Sequence, residues 1–341
     1  MRVRFLVTPV GLMMGNIESA RRLEKALSAR GLEVTRGDDP GVPDILHVHT
    51  PFPPHNSRIV KKAKRDGIPV IIHAHTTAED SIGTWSGSGV LSGLTGMYLT
   101  RFYNMGDLVL APSEWTKARL LARGVKVPIR VVSNGVDLSR FVFSEDRRER
   151  FRKRYGIPKD AFVVYSIGVV CLKKGVEVFP EVVNVLPDFE FVWAGRMSRL
   201  YHPIRVGRAM RRCDGNAHFL HDVEDIVDAH CGGDLFFTPS FAENQGMAVM
   251  EAMAVGRPIV ARGLPSYEGL LADGKNAMIG ETAKDFVAAM QKLREEEDKV
   301  RSLTLSARDS IGAHDISRVA EELESIYRSL IESVKSGRAS G

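Results

Sequence analysis

Two glutamates give the clearest chemical signal in this sequence. Glu243 lies in a polar turn, and Glu251 follows eight positions later inside a run, Met247 to Val255, that is otherwise apolar. A helix that is apolar on nearly all sides is buried, and a carboxylate inside it is costly unless another group binds it. At helical rise the two carboxylates would stand about 12 Å apart, and the free N–H groups of the helix start between them favour an anion. This order suits the sugar, the diphosphate and the ribose of a nucleotide-sugar.

The same residues also have a purely structural interpretation. Glu251 could simply pair with Arg257, and two glutamates at this spacing occur by chance in many chains. The turn itself favours function, because it holds more small and polar residues than a helix cap needs: Ser240, Asn244, Gln245 and Gly246. Gly246 also lets the backbone approach a ligand closely.

The elements around these residues are predicted to be a short strand, a turn, a helix opening near Asn244 and a second strand from about Pro258. The same alternation runs along the whole chain, which predicts an α/β protein with doubly wound parallel sheets and ligands at the carboxyl ends of the strands. The other predicted strands are 3–7, 45–48, 70–72, 108–111, 129–132, 162–167, 189–194 and 218–220. The other predicted helices are 17–30, 58–66, 113–123, 283–297 and 316–334.

The length of 341 residues predicts two domains of ordinary size. A charged run at 145–153, followed by Gly156 and Pro158, marks a linker. We therefore expect a first domain at 1–145, a second at 146–315, and a C-terminal helix within 316–341 that packs back on the first domain. Three cysteines without a C-x-x-C pair fit a reducing compartment. The N-terminal apolar run is too short for a signal peptide, and no segment has the length and apolarity of a membrane span.

Charge is distributed unevenly between the two halves of the chain. Residues 1–150 hold 22 Lys and Arg against 15 Asp and Glu, a net charge of +7, whereas the remainder carries −2. This excess predicts an anionic partner for the first domain. An anionic membrane surface fits, and nucleic acid is not expected because no basic stretch is interleaved with aromatic residues. The uncharged stretch 81–100 predicts either an apolar lip that touches lipid, with Arg101 at its edge, or a long loop with a core-facing helix.

Two glycine turns follow strands that begin the two predicted domains. The first contains Gly11 and Gly15, but the dinucleotide fingerprint G-x-G-x-x-G is absent, so a nicotinamide cofactor is not expected. The second starts at Gly168 and contains Lys173 and Lys174. A lysine beside a glycine turn at a strand end is a candidate phosphate partner, and the alternative is a solvated lysine at a helix start.

Two His-x-His pairs, His47 with His49 and His73 with His75, end two of the predicted strands. In an extended chain positions i and i+2 face the same side, so the pattern raises a zinc site. No carboxylate partner that would orient the rings is evident in the sequence. We therefore expect buried core histidines and no metal.

With these residues in view, the chain resembles the GT4 family of retaining glycosyltransferases, whose GT-B fold has two Rossmann-like domains facing a cleft. The defining part is the E-x7-E element within P-S-x-x-E-N-x-G-x-x-x-x-E-A-M-A-x-G-x-P-I-V. Supporting motifs are DILHVHTPFPP at 44–54, APSEWTK at 111–117, SNGVD at 133–137 and the Lys174-Gly175 pair. Residues 73–80, 101–117 and 241–258 resemble the diacylglycerol glucosyltransferase branch, which consists of peripheral membrane enzymes that place a hexose from UDP-glucose on a lipid. The resemblance implies a cytoplasmic protein, peripheral on the inner face of the cell membrane.

The resemblance also implies roles for individual residues. Glu243, His75 and Lys174 would be catalytic: Glu243 on the sugar hydroxyls, His75 at the reaction centre and Lys174 against the leaving diphosphate. The donor-binding residues would be Gly15, Lys173, Gly195, Arg196, Asn244, Gln245, Gly246, Met247 and, on the ribose diol, Glu251. The UDP-sugar is a substrate, and no cofactor is implied. Most of the family carries an arginine where this chain has Val169, so Lys173 is expected to supply the second phosphate-binding charge.

The mechanism expected from these residues is a front-face transfer. No carboxylate is an evident nucleophile for a double displacement, so the acceptor hydroxyl would give its proton to the departing phosphate while the lysines stabilise the leaving charge. Three alternatives remain open at this point. The acceptor could be a polysaccharide or glycan intermediate, the protein could be a UDP-N-acetylhexosamine 2-epimerase on the same fold, or it could bind a nucleotide-sugar without turnover.

Overall fold

A computed structural model describes residues 1–8, 14–37, 39, 41–77, 88–197, 202–221 and 223–339. The strands are β1 Arg2–Leu6, β2 Glu33–Arg36, β3 Ile45–Val48, β4 Val70–His73, β5 Leu108–Ala111, β6 Ile129–Val131, β7 Phe162–Ile167, β8 Phe189–Ala194, β9 Ala217–Leu220, β10 Leu235–Thr238, β11 Ile259–Arg262 and β12 Met278–Gly280. The α-helices are α1 Met14–Ala29, α2 Asn56–Arg65, α3 Ser88–Tyr103, α4 Glu114–Ala122, α5 Glu145–Tyr155, α6 Phe179–Val183, α7 Pro203–Arg211, α8 Ile226–Gly232, α9 Met247–Val255, α10 Ala283–Glu295, α11 Glu297–Ile311 and α12 Ile316–Ala339. None of these described helices has both the length and the apolarity needed to cross a membrane.

The strands form two six-stranded sheets, one in each of two compact units. The first unit includes residues 1–77, 91–137 and 314–339, and the second includes 138–313. The strand order is β2-β1-β3-β4-β5-β6 in the first sheet and β12-β11-β10-β7-β8-β9 in the second, and the pairings are parallel. In each sheet the direction of winding reverses once, next to β1 and β3 in the first and next to β7 and β10 in the second. Two doubly wound α/β sheets confirm the predicted fold class.

The inner strands β3, β4, β5 and β10 are mostly apolar, as expected where helices cover both faces of a parallel sheet. All four residues of β3, β4, β5 and β10 are buried. The C-terminal helix α12 belongs to the first unit, where its apolar residues share a core with β1 and α1. They recur at the helical spacing of a buried stripe: Ile316, Val319, Ala320, Leu323, Ile326 and Tyr327.

Several predicted boundaries are wrong. The charged run predicted as a linker forms α5, because Ser144 caps its first turn by accepting a hydrogen bond from the backbone N–H of Arg147, and because Phe151 is buried. The predicted helix 283–297 corresponds to α10, which ends at Glu295, and the helix α11 that follows from Glu297 was not predicted. The strands β2 and β12 were also missed. Helix α1 starts at Met14, so Gly15 lies in its first turn rather than in a preceding glycine turn, whose residues 9–13 lie outside the described part of the chain.

Candidate functional site

Lys174 and Glu243 meet at the point where the second sheet reverses its winding. Lys174 follows β7 and Glu243 follows β10, and these two strands are neighbours in the sheet although they are far apart in the chain. The ammonium Nζ of Lys174 lies 2.5 Å from Oε1 of Glu243. In open parallel sheets ligands bind outside the carboxyl ends of the strands at this reversal. The fold therefore brings two of the three residues predicted to be catalytic to the place where a ligand is expected.

The surroundings keep the Glu243 carboxylate charged. Burial alone would raise the pKa of Glu243, but the ammonium groups of Lys174 and Lys173 outweigh burial and hold that pKa below its ordinary value. The side chain of Glu243 is 11% exposed and that of Lys174 is 22% exposed. An anion and a cation held together at a partly open edge offer an acceptor for hydroxyl groups beside a donor for phosphate oxygens.

Backbone contacts hold the two loops that carry this pair. Lys174 ends a short 3₁₀ turn, Leu172–Lys174, which is closed by Gly175 at φ 80°. A Cβ on Gly175 would overlap the backbone carbonyl of Pro239 in the loop after β10, so only glycine fits. In addition, the N–H of Phe241 donates to the carbonyl of Lys173 at 2.8 Å. The positions of Lys173 and Lys174 are thus tied directly to the loop that carries Glu243.

Helix α9 begins at Met247, three residues later than predicted, which leaves Asn244 and Gln245 buried in the turn before it. Gly246 precedes the helix at φ 80°, and a Cβ there would lie 2.6 Å from the ring of Tyr267. The cap residue is a glycine and so has no side chain that could bond the first turn of α9. The N–H groups of Val249 and Met250 donate to the carbonyl of Gly246, so an anion at this helix start would meet the N–H groups of Met247 and Ala248.

Glu251 is held by a buried chain of three polar side chains. Nε2 of His230 lies 3.2 Å from Oε2 of Glu251, and Nδ1 of the same ring lies 2.9 Å from the hydroxyl of Tyr165. All three side chains are buried. If the imidazole N–H donates to the carboxylate, the hydroxyl donates to the other ring nitrogen, and the chain is satisfied with a neutral histidine. Arg257, the partner considered from sequence, lies over the ring of Phe143 at 4.2 Å.

His230 and Tyr165 were not identified from the sequence. His230 is a polar residue in the short, largely buried helix α8, and Tyr165 is in the middle of β7. A polar residue in a buried segment was the signal that singled out Glu251, and the same criterion would have singled out His230.

Gly195 and Arg196 follow β8, the neighbour of β7 on its other side. A Cβ on Gly195 would overlap the carbonyl of Gly168, so these two strand ends approach more closely than any other residue would allow. The carbonyl of Arg196 accepts from the N–H of Val170 at 3.0 Å, and its side chain is exposed. Val169 therefore lies between the ends of β7 and β8, beside the residues predicted to bind the nucleotide.

In the first unit, His75 is buried among other histidines. Its Nε2 lies 3.0 Å from Nδ1 of His49, and its ring stacks on that of His73 with 4.0 Å between centroids. Burial lowers the pKa of His75 to about 4, although a hydrogen bond with Asn134 acts in the opposite direction. The imidazole is therefore neutral near pH 7. Gly15, at the start of α1, has open space where a side chain would begin.

The two His-x-His pairs, His47 with His49 and His73 with His75, lie together in one cluster. His47, His49 and His73 each offer a ring nitrogen within 4.8 Å of the others, and all three rings are fully buried. The structure thus collects all four histidines at adjacent ends of β3 and β4, on one face of the first sheet.

Comparison with known proteins identifies both units. The sequence model of Glycosyltransferase Family 4 matches residues 39–140, and that of Glycosyl transferases group 1 matches residues 161–296. Among curated proteins, the chain is 26% identical over 312 residues to "Processive diacylglycerol alpha-glucosyltransferase" of Acholeplasma laidlawii, covering 91% of this chain and 92% of the relative. It is 24% identical to "Alpha-galactosylglucosyldiacylglycerol synthase" of Streptococcus pneumoniae, covering 76% of this chain and 72% of the relative.

Solved structures share the fold at lower sequence identity. Anabaena Alr3699/HepE, solved in complex with UDP and glucose, has a TM-score of 0.77 at 16% identity and covers 96% of this chain and 100% of that chain. Sucrose-phosphate synthase from Thermosynechococcus elongatus has a TM-score of 0.80 at 16% identity, with 98% and 100% coverage.

Proposed function

Because this chain belongs to Glycosyltransferase Family 4 and is a hexosyltransferase with the GT-B fold, we propose that it transfers a hexose from a UDP-sugar to a lipid acceptor. Glucose is the proposed sugar and diacylglycerol the proposed acceptor. The observation that carries the donor half of the proposal is the Lys174–Glu243 pair at the winding reversal of the second sheet. Family membership favours a transferase over the epimerase and over a binding protein without turnover.

Each part of the donor has a proposed partner in the second unit. The diphosphate lies against Lys174, Lys173 and the N–H groups at the start of α9, where positive charge and backbone donors coincide. Glu243 accepts hydrogen bonds from the sugar hydroxyls. Glu251 accepts a hydrogen bond from the ribose diol.

The remaining donor contacts follow from the strand ends. Gly195 and Arg196 line the nucleotide from β8, and Asn244, Gln245, Gly246 and Met247 line it from the turn before α9. Gly15 and the neutral His75 are the residues of the first unit that the family resemblance assigns to the donor.

Stabilisation of the leaving group is the main electrostatic task of the reaction. As the bond between the anomeric carbon and the phosphate oxygen breaks, negative charge develops on the diphosphate, and the Lys174 ammonium lies ready to stabilise it. The acceptor hydroxyl attacks from the same face and gives its proton to the departing phosphate oxygen. The anomeric configuration is therefore retained, and no metal ion is needed to neutralise the diphosphate.

The first unit carries the features that favour a lipid acceptor over a soluble glycan. On α3, Leu94 is 65% exposed and Met97 is 54% exposed, whereas Leu99 is buried. Tyr98 donates its hydroxyl to the carbonyl of Pro51 at 2.5 Å, which anchors α3 beside the segment that leads into α2. Within the predicted apolar lip, Leu94 and Met97 are therefore exposed and could contact lipid. Tyr98 is held by its hydrogen bond and Leu99 is buried, so these two side chains do not face a membrane. Residues 81–87 lie outside the described residues.

Helix α2 supplies positive charge close to the same segment. Its exposed cations are Arg58, Lys61, Lys62, Lys64 and Arg65, and its first turn contains no acidic residue. Exposed apolar side chains together with basic residues are the combination by which peripheral proteins bind anionic lipid surfaces. We accordingly propose a peripheral location on the cytoplasmic face of the cell membrane.

The acceptor is tested by competition between lipid and glycan. The protein is incubated with radiolabelled UDP-glucose, vesicles that contain diacylglycerol and, in parallel, soluble oligosaccharides. We expect the label in the organic phase. Label that appears only in soluble glycan would refute the lipid acceptor and leave the donor half of the proposal intact.

Membrane binding is tested separately by co-sedimentation with anionic vesicles. Leu94→Glu should reduce the bound fraction, because it places a charge in the proposed contact. The matched control is Leu305→Glu, since Leu305 is 61% exposed on α11 in the second unit. Equal binding by the two variants would contradict a membrane contact through α3.

A further inference from the structure

The four buried histidines of the first unit have a geometry that the proposed transfer does not use. In the register of β3 and β4, Val48 lies opposite Ile72, so His49 and His73 are the next residues along and face the same side. His47 lies two residues before His49 on that side. One ring nitrogen from each of these three histidines lies within 4.8 Å of the others.

Four ring nitrogens in this cluster have no hydrogen-bond partner among the described residues. They are Nε2 of His47, Nε2 of His49 and both ring nitrogens of His73. An unpaired polar atom in a dry interior is costly, and most buried polar atoms in folded proteins are paired. Three fully buried rings that all carry unpaired nitrogens at one place therefore point to a group that binds them.

We propose that His47, His49 and His73 bind a divalent transition-metal ion of the zinc type. Neutral imidazole is a preferred ligand of such ions, and three histidines with one remaining position form a known coordination set. The sequence alone favoured core histidines because it offered no carboxylate to orient the rings. The structure supplies other orienting partners.

Those partners each hold Nδ1 of one ring, in His47 and in His49, and leave its Nε2 unpaired. Nδ1 of His47 lies 2.6 Å from the hydroxyl of Tyr327, which reaches it from α12, and Nδ1 of His49 lies 3.0 Å from Nε2 of His75. When each Nδ1–H donates to its partner, the lone pair of each Nε2 is left for a cation. A metal-bound histidine typically uses its second ring nitrogen in this way.

Metal binding needs only small movements of the rings. Zinc–nitrogen bonds of about 2.0–2.1 Å in a tetrahedral site separate the ligand nitrogens by roughly 3.4 Å. The three ligand nitrogens, which now lie within 4.8 Å of one another, must therefore move closer together when the metal binds. Because the three imidazoles are neutral, an anion such as hydroxide or chloride at the fourth position would offset part of the metal charge.

The site would also act on His75. A metal on Nε2 of His49 fixes that ring, and Nδ1–H of His49 then holds Nε2 of His75. The metal would thus set the orientation of a residue in the first unit without touching the donor-binding residues of the second.

The test measures metal content directly. The full chain, prepared without a histidine tag, is stripped with a chelator, loaded with zinc, freed of excess metal by gel filtration and analysed by elemental mass spectrometry. We expect one zinc per chain and a higher melting temperature than that of the stripped protein, since a ligand of the native state stabilises it. His73→Leu should lose the metal, and the matched control His218→Gln should retain it. His218 lies in the second unit, where it bonds Glu190 at 2.8 Å.

Two results would overturn the proposal: wild-type protein without zinc after loading, or His73→Leu with the same zinc content as wild type. If circular dichroism shows that His73→Leu does not fold, zinc-edge X-ray absorption of the wild type decides. We expect three imidazole nitrogens among the atoms bound to zinc, and a spectrum without imidazole ligands would refute the site. None of these measurements requires glycosyl transfer. Failure of the metal site and failure of the proposed function are therefore separate outcomes.

Discussion

His230 is proposed to hold the carboxylate that recognises ribose, and removing its N–H tests that role. The affected contact is the hydrogen bond from Nε2 of His230 to Glu251, which at 3.2 Å is long for a bond to a charged group. Hydrogen bonds to charged groups contribute about 1.5–3 kcal/mol, and the length places this one near the lower end. His230→Leu should therefore weaken UDP binding by about tenfold, since 1.4 kcal/mol corresponds to a factor of ten in affinity.

The assay is calorimetric titration with UDP and with 2′-deoxy-UDP. Wild type should prefer UDP, and His230→Leu should lose most of that preference because the carboxylate is no longer held for the ribose hydroxyl. His230→Gln offers an amide N–H to the same carboxylate and should restore part of the preference for UDP. The control His218→Gln should behave as wild type. The reasoning is refuted if His230→Leu keeps the wild-type preference for UDP, or if it weakens both ligands equally.

Two further predictions concern the Lys174–Glu243 pair and the turn that carries it. The pKa of Glu243 lies below its ordinary value of 4.5, so its stabilising effect is complete above that pH and is lost as the pH falls through the lower, folded value. The difference in free energy of unfolding between Lys174→Met and wild type should accordingly shrink as the pH falls below 4.5, and a pH-independent difference in denaturant titrations would contradict the pairing. Gly175→Ala should lower the free energy of unfolding by more than Gly269→Ala. Both glycines have φ 80°, but only at Gly175 does a Cβ meet backbone. The conformational cost common to both substitutions is about 1–2 kcal/mol. Equal losses of unfolding free energy would show that the loop after β10 moves aside for the methyl group without further cost.

The sequence predicted most strands because they are short apolar runs bounded by turn residues, and it missed the edge strands β2 and β12. It also singled out Glu243 and Lys174 as candidate site residues, since each lies in a polar or glycine-containing turn after such a run. It did not predict that they touch, because their contact depends on β10 lying beside β7, which is a property of strand order. The long-range partners were missed for the same reason. Tyr165 and His230 are 65 residues apart, and Tyr327 is 280 residues from His47.

Other misses came from composition. The run that forms α5 is dense in charge and was interpreted as a linker, although Ser144 before it and Gly156 after it are helix-capping residues. The uncharged stretch before Arg101 left an apolar lip and a core-facing helix as alternatives, and composition could not decide between them: α3 buries Leu99 but exposes Leu94 and Met97. A glycine- and serine-rich helix lacks the polar face that would have revealed which side is buried.

The central claim is retaining transfer of a hexose from a UDP-sugar to a lipid, and the lipid product tests it most directly. The protein is incubated with UDP-glucose and diacylglycerol vesicles, and the lipid fraction is examined by proton NMR and mass spectrometry. The amount of released UDP is quantified in the same reaction. We predict a diacylglycerol that carries an α-linked hexose, with one UDP released for each glycosidic bond formed. A β-linked product, or UDP released with free glucose and no glycolipid, would contradict the account.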